Sequence, residues 1–267
     1  MTRIIVALHC SDWFDLNQHV RPIRPAIISN MGMPFAAESP PSIESSTVLI
    51  LERLPLFDDL GSASISRLAR SATEMSLPQG SVIFRQGDPP AGLYFIACGQ
   101  VKMSLHMACG DEKVIELVGR GESMGAVPLF LDDRHDLTAE TIADSELVQI
   151  AKSAVLEEAK RNPEFSYRML KEVCQRLHQR TRDLEYRALN GAQRVTTFLL
   201  SQIPDGVNGR NVAVTLPAKK GIIASRLNLT HEHFSRILRD IQSAGLIEVR
   251  GREIRMIDVG RLRAYPG

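Results

Sequence analysis

The side chains with the clearest chemistry lie in the last quarter of the chain. Over residues 231–239, polar residues recur at helical spacing on one face, and each of them can bond a base edge or a phosphate: His231, Glu232, Ser235, Arg236 and Arg239. An arginine can bond guanine O6 and N7 as a fork, a glutamate can accept from cytosine N4, and a serine can contact a base or a phosphate. This pattern predicts a helix that reads the major groove of DNA.

A second short helix must cross the first one steeply to present that face. The apolar residues around it have the spacing of a shared core for two such helices: Ile223, Leu227, Leu229, Phe234 and Ile237. Ala224 is small where the helices cross, and Asn228 tolerates the left-handed backbone of a tight turn. Thr230 is predicted to cap the second helix and, with Lys220, to contact DNA. The sequence therefore predicts a helix-turn-helix.

A β-hairpin is predicted directly after the second helix. Residues 245–249 and 253–257 are apolar-rich runs, and the turn between them carries Arg250 and Arg252, which we expect to touch the DNA backbone. From Ala192 to Gly267, Lys and Arg outnumber Asp and Glu by 12 to 6, although the net charge of the whole chain is only +1. A basic segment on an acidic body is the charge distribution of a module that meets phosphates. We predict a winged helix.

The middle of the chain has the pattern of a β-roll. From residue 81 the apolar period changes from 3.6 to 2, and five short β-rich runs are separated by glycines: residues 81–85, 93–97, 101–106, 114–118 and 147–150. Short strands with glycine turns and no helix between them indicate an antiparallel barrel or roll, with residues 108–111 as one hairpin tip. The predicted fold class is α+β.

A long helical stripe follows Pro163. Its less polar residues alternate at steps of three and four, as in a coiled-coil seam, and begin at Tyr167. The other faces carry charges, so the seam most simply pairs with the same helix of a second copy. The alternative is that the stripe packs on its own roll. The predicted dimer interface comprises Leu170, Cys174, Leu177, Thr181, Leu184 and Ala188.

Composition and spacing exclude several classes of protein. No apolar run reaches the roughly 20 residues that span a bilayer. The four cysteines lie at positions 10, 98, 109 and 174, a spacing that fits no zinc or redox motif, so we expect reduced thiols and a cytoplasmic location. The predicted organisation is a flexible arm over 1–45, a roll over 46–155, a dimerisation helix over 156–191 and a winged helix-turn-helix over 192–267. Met31 or Met33 is an alternative start for the chain.

The order of these segments resembles the cyclic-AMP receptor protein/fumarate-nitrate reduction regulator (Crp/Fnr) superfamily of bacterial transcription factors. The resemblance covers roughly residues 50–262, with residues 83–88 and 94–102 of the roll among its motifs. It implies a homodimer that activates transcription with RNA polymerase as a partner. The fumarate-nitrate branch carries E-x-x-S-R in its recognition helix, matched by Glu232, Ser235 and Arg236. This match implies an inverted repeat similar to TTGAT, four spacer bases, then ATCAA.

The signal that the roll senses is a separate question. Cyclic-nucleotide members of the superfamily hold the ribose-phosphate with a Gly-Glu pair and an Arg-Ser pair. Here Ala126 replaces the Glu, and Asp136 with Leu137 replaces Arg-Ser, so cAMP is not expected to bind. The pocket that remains would be formed by Gly125, Ala126, Arg134 and His135. Because Cys10 is the sole cysteine before residue 98, the [4Fe-4S] cluster of the oxygen-sensing members is not expected either.

Three further motifs, at residues 84–87, 176–180 and 250–254, resemble the nitrogen-oxide-responsive branch of the superfamily. Haem has been proposed as the sensor in that branch, and it would need an axial ligand. The candidates in this sequence are His178, His106 and Cys98.

The competing class is a cupin-type metal-dependent enzyme built on the roll. Such enzymes use two histidines, a carboxylate and a third histidine on strands. The only His-x-His pair here is His231 with His233, and it falls in the predicted recognition helix. The sequence therefore favours a regulator, and no metal site is predicted.

Overall fold

The structure is a computed structural model that describes residues 43–107, 110–186, 189–204 and 209–265, with the backbone alone at 43–45 and 182–186. The described chain is α+β, as predicted. A β-roll flanked by helices is followed by one long helix and then by a smaller domain of helices and a three-stranded sheet. None of the described helices is long and apolar enough to cross a bilayer.

The roll consists of two antiparallel sheets. Its strands are β1 Ala72–Leu77, β2 Val82–Phe84, β3 Gly92–Cys98, β4 Val101–His106, β5 Glu112–Val118, β6 Ser123–Met124, β7 Thr138–Thr141 and β8 Ser145–Ala151. One sheet has the order β1-β8-β3-β6 and the other has the order β2-β7-β4-β5. Strand β5 is therefore an edge strand, with one side that no other described strand pairs.

The five predicted strands are confirmed, and β1, β6 and β7 were missed. The predicted hairpin joins β4 to β5, and the N–H of Met107 donates to the carbonyl of Asp111 at 2.9 Å to close it. Ala108 and Cys109, at its tip, lie outside the described residues. The expectation of reduced thiols is wrong for Cys98, which is disulfide-bonded, whereas Cys174 is a free, exposed thiol.

Helices cover one face of the roll: α1 Ile43–Leu51, α2 Ser62–Ala69, α3 Ala126–Leu131, α4 Lys152–Arg161 and α5 Pro163–Tyr186. Three phenylalanines join them to the sheet. The Phe57 ring centroid lies 5.0 Å from that of Phe95 on β3 and 6.2 Å from that of Phe165 on α5. Phe165 and Met169 are buried in this cluster. The start of the long helix is therefore anchored in the core of the roll.

The long helix begins at Pro163, where the sequence predicts it, but the segment assigned to dimerisation is longer than this helix. Residues 156–191 do not form one helix, because α4 ends at Arg161 and α5 begins at Pro163. Proline is tolerated in the first turn of a helix, where its missing N–H has no partner to lose. The side-chain oxygen of Asn162 accepts the N–H of Glu164 at 3.0 Å and caps the new helix. At the other end, Gly191 already belongs to the next helix. The predicted arm also overlaps α1, which begins at Ile43; residues 1–42 lie outside the described residues.

The C-terminal domain contains α6 Gly191–Ser201, β9 Arg210–Thr215, α7 Lys220–Arg226, α8 His231–Ser243, β10 Ile247–Arg250, β11 Glu253–Asp258 and α9 Val259–Arg263. The predicted hairpin is confirmed as β10 and β11, and β9, which was missed, adds a third strand beside β11. Helices α6, α7 and α8 pack on this sheet around buried Phe234, Ile241 and Ile254. This domain carries the predicted DNA-reading helix.

Candidate nucleic-acid interface and sensor site

The predicted helix-turn-helix is formed by α7 and α8. Asn228 has a φ of 57°, the left-handed backbone that was predicted for the turn. The Thr230 hydroxyl accepts the N–H of His233 at 3.2 Å and so caps α8, also as predicted. Ile223, Ala224 and Phe234 are buried where the two helices cross. The local sequence therefore fixes both the turn and the start of the second helix.

Helix α8 is strongly two-sided. Its buried face carries Phe234, Ile237, Leu238 and Ile241, which belong to the core of the domain. The opposite face leaves four of the predicted contact residues exposed and Ser235 half-buried: His231, Glu232, Arg236 and Arg239 are the exposed ones. Hydrogen bonding to its own backbone N–H, and then to the Thr230 hydroxyl, lowers the pKa of Glu232. The carboxylate is thus an acceptor, suited to a base amino group.

The predicted DNA-contact residues outside α8 differ in how exposed and how bonded their side chains are. Lys220 is half-buried at the start of α7, and Arg250 is exposed on the wing, 3.7 Å from Glu248. Arg252 bonds its own domain, because its guanidinium donates to the carbonyl of Leu216 at 2.7 Å and to that of Pro217 at 2.9 Å. These bonds hold the end of β9 against the wing, so a structural role for Arg252 accounts for its geometry.

Arg194 supports the turn between the two helices, and sequence reasoning missed it. It lies on α6, and its guanidinium donates to the carbonyl of Leu227 at 2.8 Å and to that of Asn228 at 3.3 Å. The last carbonyls of a helix have no partner within it, so a cation placed there satisfies them. Nothing in the local sequence of α6 identifies this role, since the partner lies more than thirty residues away.

The long helix α5 presents an unpartnered apolar stripe. Tyr167, Leu170 and Leu177 are 62%, 60% and 65% exposed, and Cys174 and Thr181 are exposed as well. The alternative in which this stripe packs on its own roll is therefore wrong for these residues. Val173, 36% exposed, extends the stripe and was not predicted. The side chains of Leu184 and Ala188 lie outside the described residues.

The predicted effector pocket is compact and aromatic. His135, only 3% exposed, stacks on Phe84 with ring centroids 3.8 Å apart, and the Tyr94 ring centroid lies 5.5 Å from that of Phe84. Gly125, at a φ of 92°, lies beside them, because a Cβ added there would be 3.7 Å from His135 Cε1. Buried Ala126 follows it. Arg134 is exposed and donates to the carbonyl of Gly87 at 2.7 Å.

The electrostatics of this pocket do not suit a phosphate. Burial lowers the pKa of His135, although Asp88 and Asp136 act in the opposite direction. Burial, and then Asp88, raises the pKa of Tyr94. His135 Nε2 is buried and has no hydrogen-bond partner among the described residues. The imidazole is therefore neutral near pH 7, and the nearby Arg134 is held on a backbone carbonyl.

The haem-ligand candidates do not form a site. His178 is exposed on α5, and His106 is exposed at the end of β4. Cys98 is buried and disulfide-bonded, so its sulfur is not available as a ligand. Across the described ranges, no group of three or more His, Cys, Asp or Glu side chains is placed to hold a metal ion. These residues do not fit haem, and His231 with His233 gains no third ligand for a cupin-type centre.

Two protein-family models match the chain, and together they cover more than half of it. The model described as "Cyclic nucleotide-binding domain" matches residues 74–162, which span the roll and α4. The model described as "Crp-like helix-turn-helix domain" matches residues 193–265, which span the C-terminal domain.

Similar proteins show the same arrangement over most of their length. The CRP-like cAMP-activated global transcriptional regulator of Mycobacterium tuberculosis is 24% identical over 216 residues, covering 80% of this chain and 96% of the relative. The cyclic AMP receptor protein of Thermus thermophilus is 26% identical and covers 73% and 88%. The structure of FixK2 from Bradyrhizobium japonicum, 22% identical, has the same fold, with a TM-score of 0.62 over 73% of this chain and 98% of that one. A cyclic nucleotide-binding-like roll joined to a Crp-like helix-turn-helix places the chain in the Crp/Fnr superfamily of DNA-binding transcriptional regulators.

Proposed function

We propose that two copies of the chain pair through α5 and read an inverted repeat with their two α8 helices. The observation that carries this proposal is that two helix faces are exposed to solvent among the described residues. One is the polar face of α8, which has groove chemistry, and the other is the apolar stripe of α5.

The occupant of the α5 stripe is a second copy of the same helix. Three apolar side chains, Tyr167, Leu170 and Leu177, are each about three-fifths exposed, which is unusual for a helix that is otherwise charged. Tyr167 and Leu170 are three residues apart, and Leu170 and Leu177 are seven apart with Cys174 between them, which is the spacing of a two-stranded coiled coil. Because Phe165 and Met169 fix the start of the helix in the roll, both rolls would lie at the same end of a parallel pair of helices.

The DNA site follows from the reading face of α8. Arg236 is the residue for guanine, Glu232 for cytosine N4, and Ser235 for a base or phosphate. From the resemblance to the fumarate-nitrate branch, we expect these residues to recognise the inverted repeat TTGAT, four spacer bases and ATCAA. Thr230, His231, Arg239, Lys220 and the exposed Arg250 would contribute backbone contacts. RNA polymerase, as the partner of an activator, belongs to the same proposal.

Control of binding would come from the roll. A signal there would shift the pairing of the two α5 helices, and this shift would set the distance between the two α8 helices. That distance must be roughly 34 to 36 Å for both helices to enter successive major grooves. The helix is suited to carry such a shift, because its start is anchored in the core of the roll.

The signal itself is not a cyclic nucleotide in this proposal, although one relative above is described as cAMP-activated and another as a cyclic AMP receptor protein. The predicted pocket lacks the Glu and Arg that would hold the ribose-phosphate, and its His135 is neutral, buried and stacked on Phe84. The nitric oxide and haem hypothesis rests on the resemblance alone, since the candidate ligands do not form a site, and no step is assigned to haem.

The test is a binding titration of the purified full-length chain on three fluorescent duplexes. These carry the intact inverted repeat, one half-site, or the same bases scrambled. We expect the intact repeat to bind most tightly and the half-site to bind more weakly, with the scrambled duplex showing the salt-dependent background of non-specific binding. Equal affinity for all three duplexes would overturn the proposal.

A further inference from the structure

The edge strand of the roll contacts the helix-turn-helix directly. Ser225, on α7, accepts the N–H of Val114 through its Oγ at 3.0 Å and lies 3.4 Å from the carbonyl of Glu112. Both backbone groups belong to β5 and point away from β4, where a further strand would otherwise bond them. One serine hydroxyl therefore takes the place of the missing strand at this position.

A second contact involves the turn that leads into the reading helix. The Lys113 ammonium, from the same strand, donates to Oδ1 of Asn228 at 3.1 Å. Leu117 of β5 and Ile142, which follows β7, pack against the hydrophobic core of the C-terminal domain. Polar contacts thus fix the position of the domain on the roll, and apolar packing supports them.

Strand β5 also contacts the long helix. Arg180 of α5 forms an ion pair with Glu116. These two residues and Arg226 of α7 line a cleft of about 770 Å³ between the roll, α5 and the helix-turn-helix. One edge strand is therefore the place where the sensing, dimerising and reading parts of the chain meet.

The docked arrangement leaves the reading face uncovered. His231, Glu232, Arg236 and Arg239 stay exposed while Ser225 and Asn228 are engaged. Contact with β5 therefore does not hide the DNA-binding surface, and its physical effect is to restrict the orientation of the domain. We propose that Ser225 and Lys113 are positioning residues that dock the reading domain on β5 and so fix the separation of the two α8 helices in the dimer.

This inference rests on the proposed function, because only a dimer on an inverted repeat has a separation to fix. A docked pair of domains should prefer one spacer length, whereas undocked domains on flexible links should accept others. Binding of one domain to one half-site should be indifferent to docking. The positioning role therefore predicts a change in spacer preference without a change in half-site affinity.

The experiment compares the wild-type chain with Ser225→Ala/Lys113→Ala on duplexes with the four-base spacer, a spacer lengthened by two bases, and a single half-site. We expect the wild-type chain to bind the four-base spacer more tightly than the lengthened spacer. In the double variant the ratio of these two affinities should be about tenfold smaller, because each domain has lost two hydrogen bonds to β5. Half-site affinity should not change. Ser243→Ala/Lys160→Ala, at two exposed positions away from β5, is the matched control and should behave as wild type.

Asn228→Gly separates the contact from the turn. Glycine adopts the left-handed backbone freely, so this substitution keeps the turn and removes only the acceptor of Lys113. It should have the effect of Lys113→Ala, and combining the two should add nothing further. In hydrogen exchange on the full chain, the Val114 amide should exchange faster in Ser225→Ala than in wild type. Its exchange rate in Ser243→Ala should equal that of wild type.

The outcomes are distinguishable. An unchanged spacer ratio, or an equal loss on half-site and full site, would overturn the positioning role. A wild-type chain that shows no preference for the inverted repeat would overturn the proposed function instead. In that case the docking contact is still judged by the Val114 amide, and unaltered exchange in Ser225→Ala would overturn it.

Discussion

Arg236 and Arg252 carry the same charge in the same domain, but they lie in different surroundings. Arg236 is exposed on the reading face of α8, whereas the Arg252 guanidinium is bonded to the carbonyls of Leu216 and Pro217. A cation free to meet a base contributes to specificity, and one held by its own backbone contributes to the stability of the wing. Substituting the two residues should therefore affect different measurements.

Arg236→Ala should lower discrimination at the guanine of the half-site by roughly 1 to 3 kcal/mol. An arginine can bond two acceptors of guanine, whereas an alanine can bond neither. The measurement is a titration on the inverted repeat and on a repeat with that base pair exchanged, for the variant and the wild type. Arg252→Ala is the comparison, because it should lower the thermal midpoint of the domain and leave the base preference unchanged. If Arg236→Ala weakened binding equally on both sequences, the arginine would be a phosphate contact.

His135 makes the stability of the roll depend on pH. Its pKa is lowered by burial from the ordinary value of 6.5, so the unfolded chain binds the proton more readily than the folded one. Stability is therefore full above that value and falls as the pH drops below it. His135→Phe keeps a ring against Phe84 and removes the titrating group. From about pH 7.5 to about pH 5.5, urea midpoints should fall less in this variant than in wild type. His178→Gln, at an exposed histidine, should follow wild type, and an identical decline in His135→Phe would contradict the assignment.

Residues whose roles depend on the local backbone could be predicted from sequence. Asn228 and Thr230 were identified because a left-handed turn and a helix cap each restrict the residue type at one position. Arg194, Ser225 and Lys113 were not identified, since their partners come from distant segments. The hydrogen bonds of Arg252 to Leu216 and Pro217 and the disulfide of Cys98 were missed for the same reason, because the sequence shows a residue's type and not which groups folding brings beside it.

Among the helices and strands too, elements with local sequence signals were predicted, whereas elements that depend on distant segments were missed. Strands β3, β4 and β5 were predicted because their alternation and glycine turns are local signals. Strand β1 was read as part of a helical pattern, and β6 has only two residues. Strand β9 pairs with β11 in the sheet but is far from the hairpin in the sequence. The start of the long helix after Pro163 was predicted, because proline suits the first turn of a helix.

The turn of the helix-turn-helix offers a test at this scale. Arg194→Met should weaken binding to the inverted repeat and to a single half-site alike, by about tenfold, because two carbonyls at the end of α7 lose a charged donor. Since Arg194 bonds protein rather than phosphate, the slope of affinity against salt should stay the same. Arg194→Lys should restore part of the affinity. A slope reduced by about one would show instead that Arg194 contacts DNA.

At the scale of the whole molecule, one chain carries two surfaces that are incomplete without further molecules. Helix α5 has a buried face that packs on the roll and an apolar face that the described residues leave exposed. The C-terminal domain docks on β5 and keeps α8 clear of the roll. The order of roll, helix and reading domain could be predicted from sequence, but the contact at β5 could not, because it depends on the unpaired edge of a sheet.

The proposed reading of an inverted repeat depends on the proposed dimer, so loss of the dimer should be visible in both assembly and DNA binding. Leu177→Glu places a charge at the centre of the proposed seam, where two copies would face each other across the two-fold axis and repel. We expect this variant to sediment as a monomer at micromolar concentration. It should lose its preference for the inverted repeat over a half-site, and its half-site affinity should be unchanged. Leu49→Glu, at an equally open leucine on α1 that is 55% exposed, is the matched control and should remain dimeric. A Leu177→Glu chain that stayed dimeric and kept the preference would show that the two copies meet elsewhere.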